Sequence, residues 1–354
     1  MPASRDEGLD SIRALAIFAV IGLHVVGFSF YSFPKYSPSW NLLLVLDQIF
    51  RFAVPSFVAV SGYVLASKYA HNAFVFTVFF KKRILRVLPL YFFFSFAIFY
   101  YTRFLYPEPH GAIPLWKIIF LGKTDYHLYF VSMIFQFYLL FPLFLFFFNK
   151  FRKALLVFAL VLQMIVYLIS ALAMEKIFDF GFVFGDQQQY VFFGTWIFYF
   201  VLGMLFAKVR FDDDKTAKLV RISVFFLIFG FFFMLVDTYR LFLATGDLIT
   251  SLRSTRLPVF IYTAGFVILF LLKHELINRF LGRFSKWLIY FGRESFTVYL
   301  VHTLVLRIVL LNLVVKNLFQ VILLFVITVS ISILIAELTR RIFAFPVFLK
   351  SKNG

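Results

Sequence analysis

The sequence has no cysteine and few charged residues for its length. Without cysteine it cannot form disulfides, thiolate metal sites or an acyl-cysteine intermediate. Charged residues make up only 15% of the 354 residues, and 17 acidic residues stand against 35 Lys and Arg. The chain also lacks a phosphate-binding P-loop, a dinucleotide glycine fingerprint and a His-Glu-x-x-His motif. These absences exclude the recognisable forms of P-loop, dinucleotide and zinc-protease chemistry.

Apolar residues dominate the composition. They make up 62% of the chain, phenylalanine alone contributes 57 residues, and the mean hydropathy is +0.92. Soluble domains are only about 45–50% apolar. Apolar runs of about 20 residues recur along the chain, which is the length a membrane-spanning helix needs. A transmembrane β-barrel is disfavoured, because its strands would alternate polar and apolar residues.

The pattern predicts an all-α integral membrane protein with about ten transmembrane helices in one bundle. We predict a single membrane-embedded domain over residues 1–354. The first apolar run is interpreted as an uncleaved span, because acidic residues precede it and no small-residue cleavage site follows. The predicted spans are 12–30, 53–68, 84–105, 128–148, 154–174, 191–208, 222–240, 257–273, 288–312 and 319–340.

The net charge of +18 is explained by topology rather than by a nucleic-acid partner. Basic residues concentrate on the cytoplasmic side of membrane helices. Most Lys and Arg fall on one side if both chain ends are cytoplasmic, which predicts a multi-pass protein of the cell membrane. The opposite segments, 106–127, 175–190 and 241–256, are moderately polar and are expected to face an extracytoplasmic substrate.

Arg13 and His24 form the strongest candidate pair. Each helical residue turns the chain by about 100°, so eleven steps return to within about 20° of the same face. The two residues are separated by roughly 16 Å along the axis, about half the bilayer core. An imidazole titrates near 6.5 when unperturbed, so His24 is suited to act as a base. The alternatives are a structural histidine and an interfacial arginine paired with Asp10.

A basic cluster precedes the third predicted span. Arg83 and Arg86 are three residues apart and therefore share one side of a helix. Two guanidinium groups on one face suit phosphate oxygens, which they bind through paired hydrogen bonds. The alternative is topology alone, which requires charge but no particular spacing.

Further polar residues lie on predicted spans. Ser295, Tyr299 and His302 follow a helical spacing and form a stripe that either packs helices or contacts substrate. His127 lies at the outer end of the fourth span and is a second candidate for acceptor contact. Opposite charges spaced for pairing within a helix are Asp47 with Arg51, Asp237 with Arg240, and Glu337 with Arg340 or Arg341.

Five ordered segments resemble the membrane acyltransferase-3 family. They are the opening Leu9 to Ala16 followed by His24, the segment Pro55 to Tyr63, the Arg-x-x-Arg segment Arg83 to Tyr91, the fourth-span residues 127–131 and 136–142, and the late element Gly292 to His302. The matches run in order through nearly the whole chain.

The resemblance implies transfer of an acyl group, commonly acetyl, from cytoplasmic acyl-CoA to an extracytoplasmic or lipid-linked sugar. It implies that His24 is catalytic with support from Arg13, and that Arg83 and Arg86 contact the coenzyme A phosphates. The donor is therefore expected to be acetyl-CoA or another acyl-CoA, without a metal. The expected partners are a glycan or lipid-linked sugar, membrane lipids and polysaccharide-synthesis proteins.

Two questions remain open at the level of sequence. His24 is able to act either as a general base or as a transient acyl carrier. The chain also resembles members of the same family that export poly-N-acetylglucosamine, so non-enzymatic export of a surface polysaccharide is the alternative function. An ion-coupled transporter is disfavoured, because neither inverted repeats nor paired broken helices are found.

Overall fold

The computed structural model describes residues 6–70, 74–105, 118–119, 122–174, 188–209 and 211–350. Within these ranges the backbone is helical apart from turns, and no strand occurs. The first helices are α1 (Glu7–Ser29), α2 (Pro38–Phe50), α3 (Ala53–Tyr69), α4 (Phe76–Leu105) and α5 (Tyr129–Met174). They are followed by α6 (Gln188–Val191), α7 (Ile197–Phe206), α8 (Asp213–Thr245), α9 (Leu248–Ser251), α10 (Leu257–Leu281), α11 (Phe284–Leu310) and α12 (Leu318–Lys350).

Several helices are long and apolar enough to cross a membrane, which confirms the all-helical membrane class. In the part of the chain that is described, seven stretches meet this criterion. The count of ten spans and the cytoplasmic location of both termini stay predictions. The seven stretches are Glu7–Ser32, Pro38–Tyr69, Phe76–Leu105, Tyr126–Ala173, Asp213–Thr245, Leu257–His274 and Leu318–Ile342.

The difference from ten has identifiable physical causes. The stretch Tyr126–Ala173 covers both predicted spans 128–148 and 154–174, and a non-helical residue, Phe151 (φ −138°, ψ 46°), divides it. Helix α7 has only 10 residues, about 15 Å, which is too short to cross alone. Helix α11 has 27 residues but carries Arg293 and Glu294, which lower its apolar character.

The chain divides into two compact units, which are described separately. The terminal unit comprises Met1–Ala53 and His274–Gly354, and the central unit comprises Val54–Lys273. In the terminal unit α1 packs most extensively along α11, and α12 packs against both. The prediction of one membrane-embedded domain for the whole chain stays a prediction.

Helix α1 begins at a well-formed N-cap. The Asp6 carboxylate accepts hydrogen bonds from the backbone N–H groups of Gly8 (3.0 Å) and Leu9 (3.2 Å). The acidic residues of the first turn, Glu7 and Asp10, stabilise the helix further because their negative charge interacts favourably with the positive end of the helix dipole. The sequence therefore starts the helix just before the first apolar run.

A glycine sets the distance between α1 and α11. A Cβ atom at Gly292 would lie 1.8 Å from the backbone oxygen of Asp10, so no other residue fits there without moving a backbone. The absent side chain brings the two helices into backbone contact. This contact fixes which residues of α11 face α1.

Glycines also allow close helix contact in the central unit. A Cβ atom at Gly62 of α3 would lie 2.0 Å from the backbone oxygen of Phe200, and one at Gly203 of α7 would lie 1.9 Å from that of Ala59. Helices α3 and α7 therefore cross in reciprocal backbone contact. Buried amides satisfy nearby backbone groups: Gln163 accepts from the N–H of Phe198 at 3.0 Å.

Candidate functional site

The N-terminal end of α1 carries a charged network built around Asp10. The Asp10 carboxylate is fully buried and accepts a hydrogen bond from Nη1 of Arg13 at 2.6 Å. Arg293 of α11 approaches the same carboxylate, with Nε 3.7 Å from Oδ2. Two guanidinium groups therefore compensate a buried carboxylate. Removing either would leave charge in a region where it is poorly solvated.

A second ion pair ties α10 to the start of α1. Nε2 of His274 lies 3.2 Å from Oδ2 of Asp6. Burial raises the pKa of Asp6, but the hydrogen bond and charge of His274, with the backbone N–H groups of Leu9 and Gly8, outweigh it. The pKa of Asp6 therefore lies below its ordinary value. The ionised carboxylate is therefore favoured, and it accepts the two capping hydrogen bonds.

Two histidine rings meet between α1 and α11. The ring centroids of His24 and His302 are 5.1 Å apart, and the ring planes are inclined by 32°. His24 is partly exposed, whereas His302 is 0% exposed. The sequence analysis proposed His24 as a base and His302 as part of a polar stripe, without relating one to the other. Their contact across two helices is an addition from the structure.

The polar stripe of α11 faces the interior. Tyr299 is buried, and its ring centroid lies 5.8 Å from that of His302. Nδ1 of His302 lies 2.7 Å from the backbone oxygen of Tyr299. Ser295 donates to the backbone oxygen of Gly292 at 2.9 Å. The substrate-contact roles of Ser295, Tyr299 and His302 stay predictions.

Arg13 and His24 share a face of α1, but the structure does not bring their side chains together. Between them on that face lie Ile17 and Val20, both buried. Arg13 instead engages Asp10, which confirms the predicted pair within the helix. If Arg13 and His24 serve one function, helix α1 links them, because two buried side chains lie between them on this face.

In the central unit, Arg83 is held between aromatic rings. Its Cζ atom lies 5.5 Å from the ring centroid of Phe79 and 5.4 Å from that of Tyr138. A guanidinium within about 6 Å of a ring centroid is attracted by the electrons of the ring face. Arg86, one turn further along α4, is exposed. The two arginines thus offer hydrogen-bond donors on one side of α4.

His127 is almost completely buried in the central unit. It is 2% exposed, and its Nδ1 lies 3.6 Å from Oδ2 of Asp125. Asp125 also accepts from the backbone N–H of Tyr126 at 2.8 Å. Nearby, the amide of Gln136 joins α5 to the backbone of Val191 and Phe193. The acceptor-contact role of His127 stays a prediction.

The structure adds partners that spacing alone did not reveal. Arg293 at Asp10 and His274 at Asp6 both join elements distant in sequence. In the sequence, the one indication of the Arg293 contact is the preceding Gly292, because a glycine allows two helices to approach closely. Among the described residues, no group of three or more His, Asp or Glu side chains is arranged to hold a metal ion.

Other predicted ion pairs are present in the structure. Nη2 of Arg51 lies 2.5 Å from Oδ2 of Asp47, and Nη2 of Arg240 lies 3.3 Å from Oδ1 of Asp237. Glu337 receives both Arg340 and Arg341, each at 2.8 Å. Each pair joins residues three or four positions apart in the sequence, as the spacing predicts.

Comparison with known proteins identifies the family. Residues 6–337 match the family model described as an acyltransferase domain, which covers nearly the whole chain. Searches of curated proteins and of solved structures find no match. The match includes the histidine pair, the charged end of α1 and the Arg83 segment. The chain therefore belongs to the acyltransferase-3 family.

Proposed function

We propose that this protein transfers an acyl group, acetyl in the first instance, from cytoplasmic acyl-CoA to a hydroxyl group of a cell-surface or lipid-linked glycan. Membership of the acyltransferase-3 family supports acyl transfer in general. The observation that carries the finer proposal is the location of His24. Its partly exposed imidazole lies within an apolar helix and against a second imidazole.

His24 is the proposed catalytic residue. Ionisable side chains inside apolar helices are costly and usually functional. Its ring contacts that of His302 on α11, so it packs against the helix bundle rather than extending into lipid. Such an imidazole suits proton removal from a sugar hydroxyl or transient acyl transfer. Arg13 supports the site from the other end of α1 through Asp10.

Arg83 and Arg86 are the proposed contacts for the coenzyme A phosphates. Aromatic stacking directs the Arg83 guanidinium, and Arg86 is exposed one turn away. Paired hydrogen bonds from guanidinium groups suit phosphate oxygens. Ser295, Tyr299, His302 and His127 are proposed to contribute to acceptor binding. Membrane lipids surround the protein, and polysaccharide-synthesis proteins are its proposed partners.

The test is acyl transfer by the full-length protein in lipid nanodiscs. Acetyl-CoA is the donor, a tetramer of N-acetylglucosamine is the acceptor probe, and mass spectrometry detects the added acetyl group. The variant His24→Gln is expected to lose at least about 100-fold in rate, which is the scale of general acid–base catalysis. His274→Gln keeps a hydrogen-bond donor for Asp6 and serves as the matched control.

Two outcomes would contradict the proposal. Equal transfer by His24→Gln and wild type would remove the catalytic assignment. No thermal stabilisation by acetyl-CoA, together with continued secretion of polysaccharide by cells that carry the protein, would favour the exporter alternative. An exporter requires a sugar path but no acyl-CoA site.

A further inference from the structure

Helix α5 of the central unit reverses direction near Phe151. In its first half, Gln136 donates a hydrogen bond to the backbone oxygen of Val191 at 2.7 Å. In its second half, Ser170 donates a hydrogen bond to the side chain of Gln189. Gln136 and Ser170 would lie about 51 Å apart along a straight helix. Their partners are two positions apart in the sequence and therefore lie within about 7 Å of each other. The chain therefore folds back between the two halves, at the non-helical Phe151.

The turn of this hairpin, residues 149–153, is exposed and basic, and we call it the α5 turn. It reads Asn-Lys-Phe-Arg-Lys, and each of the five residues is exposed. No Asp or Glu occurs from residue 126 to residue 174. Within the described part of the chain, no carboxylate forms an ion pair with Lys150, Arg152 or Lys153. The described residues therefore leave three positive charges at the α5 turn without a compensating negative charge.

Aromatic rings of the preceding helical turn hold two of these cations. Nζ of Lys150 lies 4.5 Å from the ring centroid of Phe146, and Cζ of Arg152 lies 5.6 Å from that of Phe148. At these distances the ring face attracts the positive charge. Residues 139–148 are all apolar, as expected of a segment surrounded by acyl chains. The two cations are therefore held beside the last apolar turn, at the level where phospholipid headgroups are expected.

Membrane topology alone does not account for the α5 turn. The positive-inside rule requires cations but no aromatic residue between them. Phe151 is 58% exposed, and it follows two further exposed phenylalanines, Phe146 and Phe147, by about one helical turn. A phenylalanine ring has no polar atom, so its exposure to water is unfavourable. Exposed rings interleaved with cations are typical of a segment that lies at an anionic membrane surface.

We propose that the α5 turn binds anionic phospholipids. Phe151 inserts between acyl chains, while Lys150, Arg152 and Lys153 contact the headgroup phosphates, to which a guanidinium donates paired hydrogen bonds. In the predicted orientation the α5 turn lies at the cytoplasmic leaflet, whose negative surface potential attracts basic segments. The inference does not rest on the proposed acyl transfer, because lipid binding requires neither the donor nor the acceptor.

The absence of cysteine allows a fluorescent dye to be placed at the turn itself. Asn149→Cys in the full-length protein is labelled with the dye and reconstituted in vesicles of dioleoylphosphatidylcholine. A small share of spin-labelled lipid, either phosphatidylglycerol or phosphatidylcholine, quenches the dye when it lies nearby. Quenching is expected to indicate at least about fivefold local enrichment of phosphatidylglycerol, which is the scale of attraction for one cation at an anionic surface.

Two variants separate the contributions of charge and ring. Replacing Lys150, Arg152 and Lys153 together with glutamine should abolish the preference for phosphatidylglycerol. Phe151→Ser keeps every charge and should reduce quenching by both lipids, because the turn is then held less deeply. The matched control replaces three exposed cations near the start of α8 with glutamine and should leave the preference unchanged; they are Lys215, Lys218 and Arg221.

Three outcomes would overturn the inference. Equal quenching by the two lipids in the labelled protein would show that the turn does not select anionic lipid. Equal loss of preference in the α8 control would assign the effect to net charge rather than to the turn. Loss of the preference on addition of acetyl-CoA would assign the cations to the phosphates of the donor. None of these measurements uses acyl transfer, so the inference and the proposed function can fail independently.

Discussion

Contacts with neighbouring side chains restrict the orientation of the arginines that are proposed to take part in function. Asp10 fixes Arg13 within one helix turn, and the rings of Phe79 and Tyr138 hold Arg83. A stacked guanidinium loses less freedom on binding a phosphate than a mobile one, because its plane is already oriented. The aromatic partners of Arg83 are therefore expected to influence donor binding without touching the donor.

The stacking of Arg83 leads to a prediction about Tyr138. Replacing Tyr138 with leucine removes one ring, which is worth about 0.5–1 kcal/mol for a partly exposed pair. The KM for acetyl-CoA should rise about two- to fivefold, while kcat changes little. Tyr138→Phe keeps the ring and should restore the wild-type KM. Steady-state kinetics in nanodiscs provide the measurement.

The chain offers a matched control for this substitution. Lys150 Nζ lies 4.5 Å from the ring centroid of Phe146, a cation–aromatic contact outside the proposed donor site. Phe146→Leu should therefore leave the KM unchanged. If it raised the KM as much as Tyr138→Leu does, the effect would come from general loss of aromatic packing.

At the scale of helices, close approach depends on glycine. Gly292 brings α11 onto the backbone of α1, and this contact precedes Ser295, Tyr299 and His302 along the same helix. Because side chains on a helix repeat every three to four residues, fixing one crossing point fixes which later residues face α1. The histidine contact thus depends on a glycine about ten residues away, roughly 15 Å along the helix.

The glycine contact leads to a prediction about stability. Gly292→Ala would place a Cβ atom 1.8 Å from the Asp10 oxygen, so the helices must separate. Such overpacking costs about 1–3 kcal/mol or more, and a lower melting temperature in detergent is expected. Transfer activity should also fall, because the shift moves His302 relative to His24.

Gly27 provides the control on α1. A Cβ atom there would meet nothing within 4 Å, so Gly27→Ala adds helix propensity without a clash. Its melting temperature should stay equal or rise slightly, by the equivalent of about 0.5–1 kcal/mol. Equal melting temperatures for Gly292→Ala and Gly27→Ala would show that the close approach of α1 and α11 does not contribute to stability.

For the whole molecule, the orientation in the membrane is the property that the proposed reaction needs most. In the proposed reaction acyl-CoA comes from the cytoplasm, so the Arg83 segment, as the proposed donor site, is expected to face that side. The distribution of basic residues predicts this orientation. Helix α8, with 33 residues or about 50 Å, is long enough to connect the two surfaces.

The absence of cysteine makes this orientation directly testable. Lys215 at the start of α8 and Ile249 beyond its end have side chains that are 71% and 74% exposed. In intact cells a membrane-impermeant maleimide should label Ile249→Cys but not Lys215→Cys. Both should react after permeabilisation, and the cysteine-free parent should not react at all. Labelling of Lys215→Cys alone in intact cells would reverse the predicted topology.

The sequence alone determined the properties that depend on composition and near neighbours. Apolar runs of the right length indicated membrane helices, and charges three or four residues apart predicted pairs such as Asp10 with Arg13 and Asp47 with Arg51. These follow because the bilayer excludes unpaired backbone groups and because a helix places such neighbours on one face. Ordered motifs also identified the family, which the match over residues 6–337 confirmed.

Only the tertiary structure decided which faces of distant helices meet. The contact of His24 with His302, the approach of Arg293 to Asp10 and the stacking of Tyr138 on Arg83 join residues far apart in sequence. Helical periodicity defines the residues on each face of a helix. It does not determine which faces meet, because many apolar faces in this chain could pack against one another. Close contacts at glycines such as Gly292 select among them, since there the backbones themselves touch.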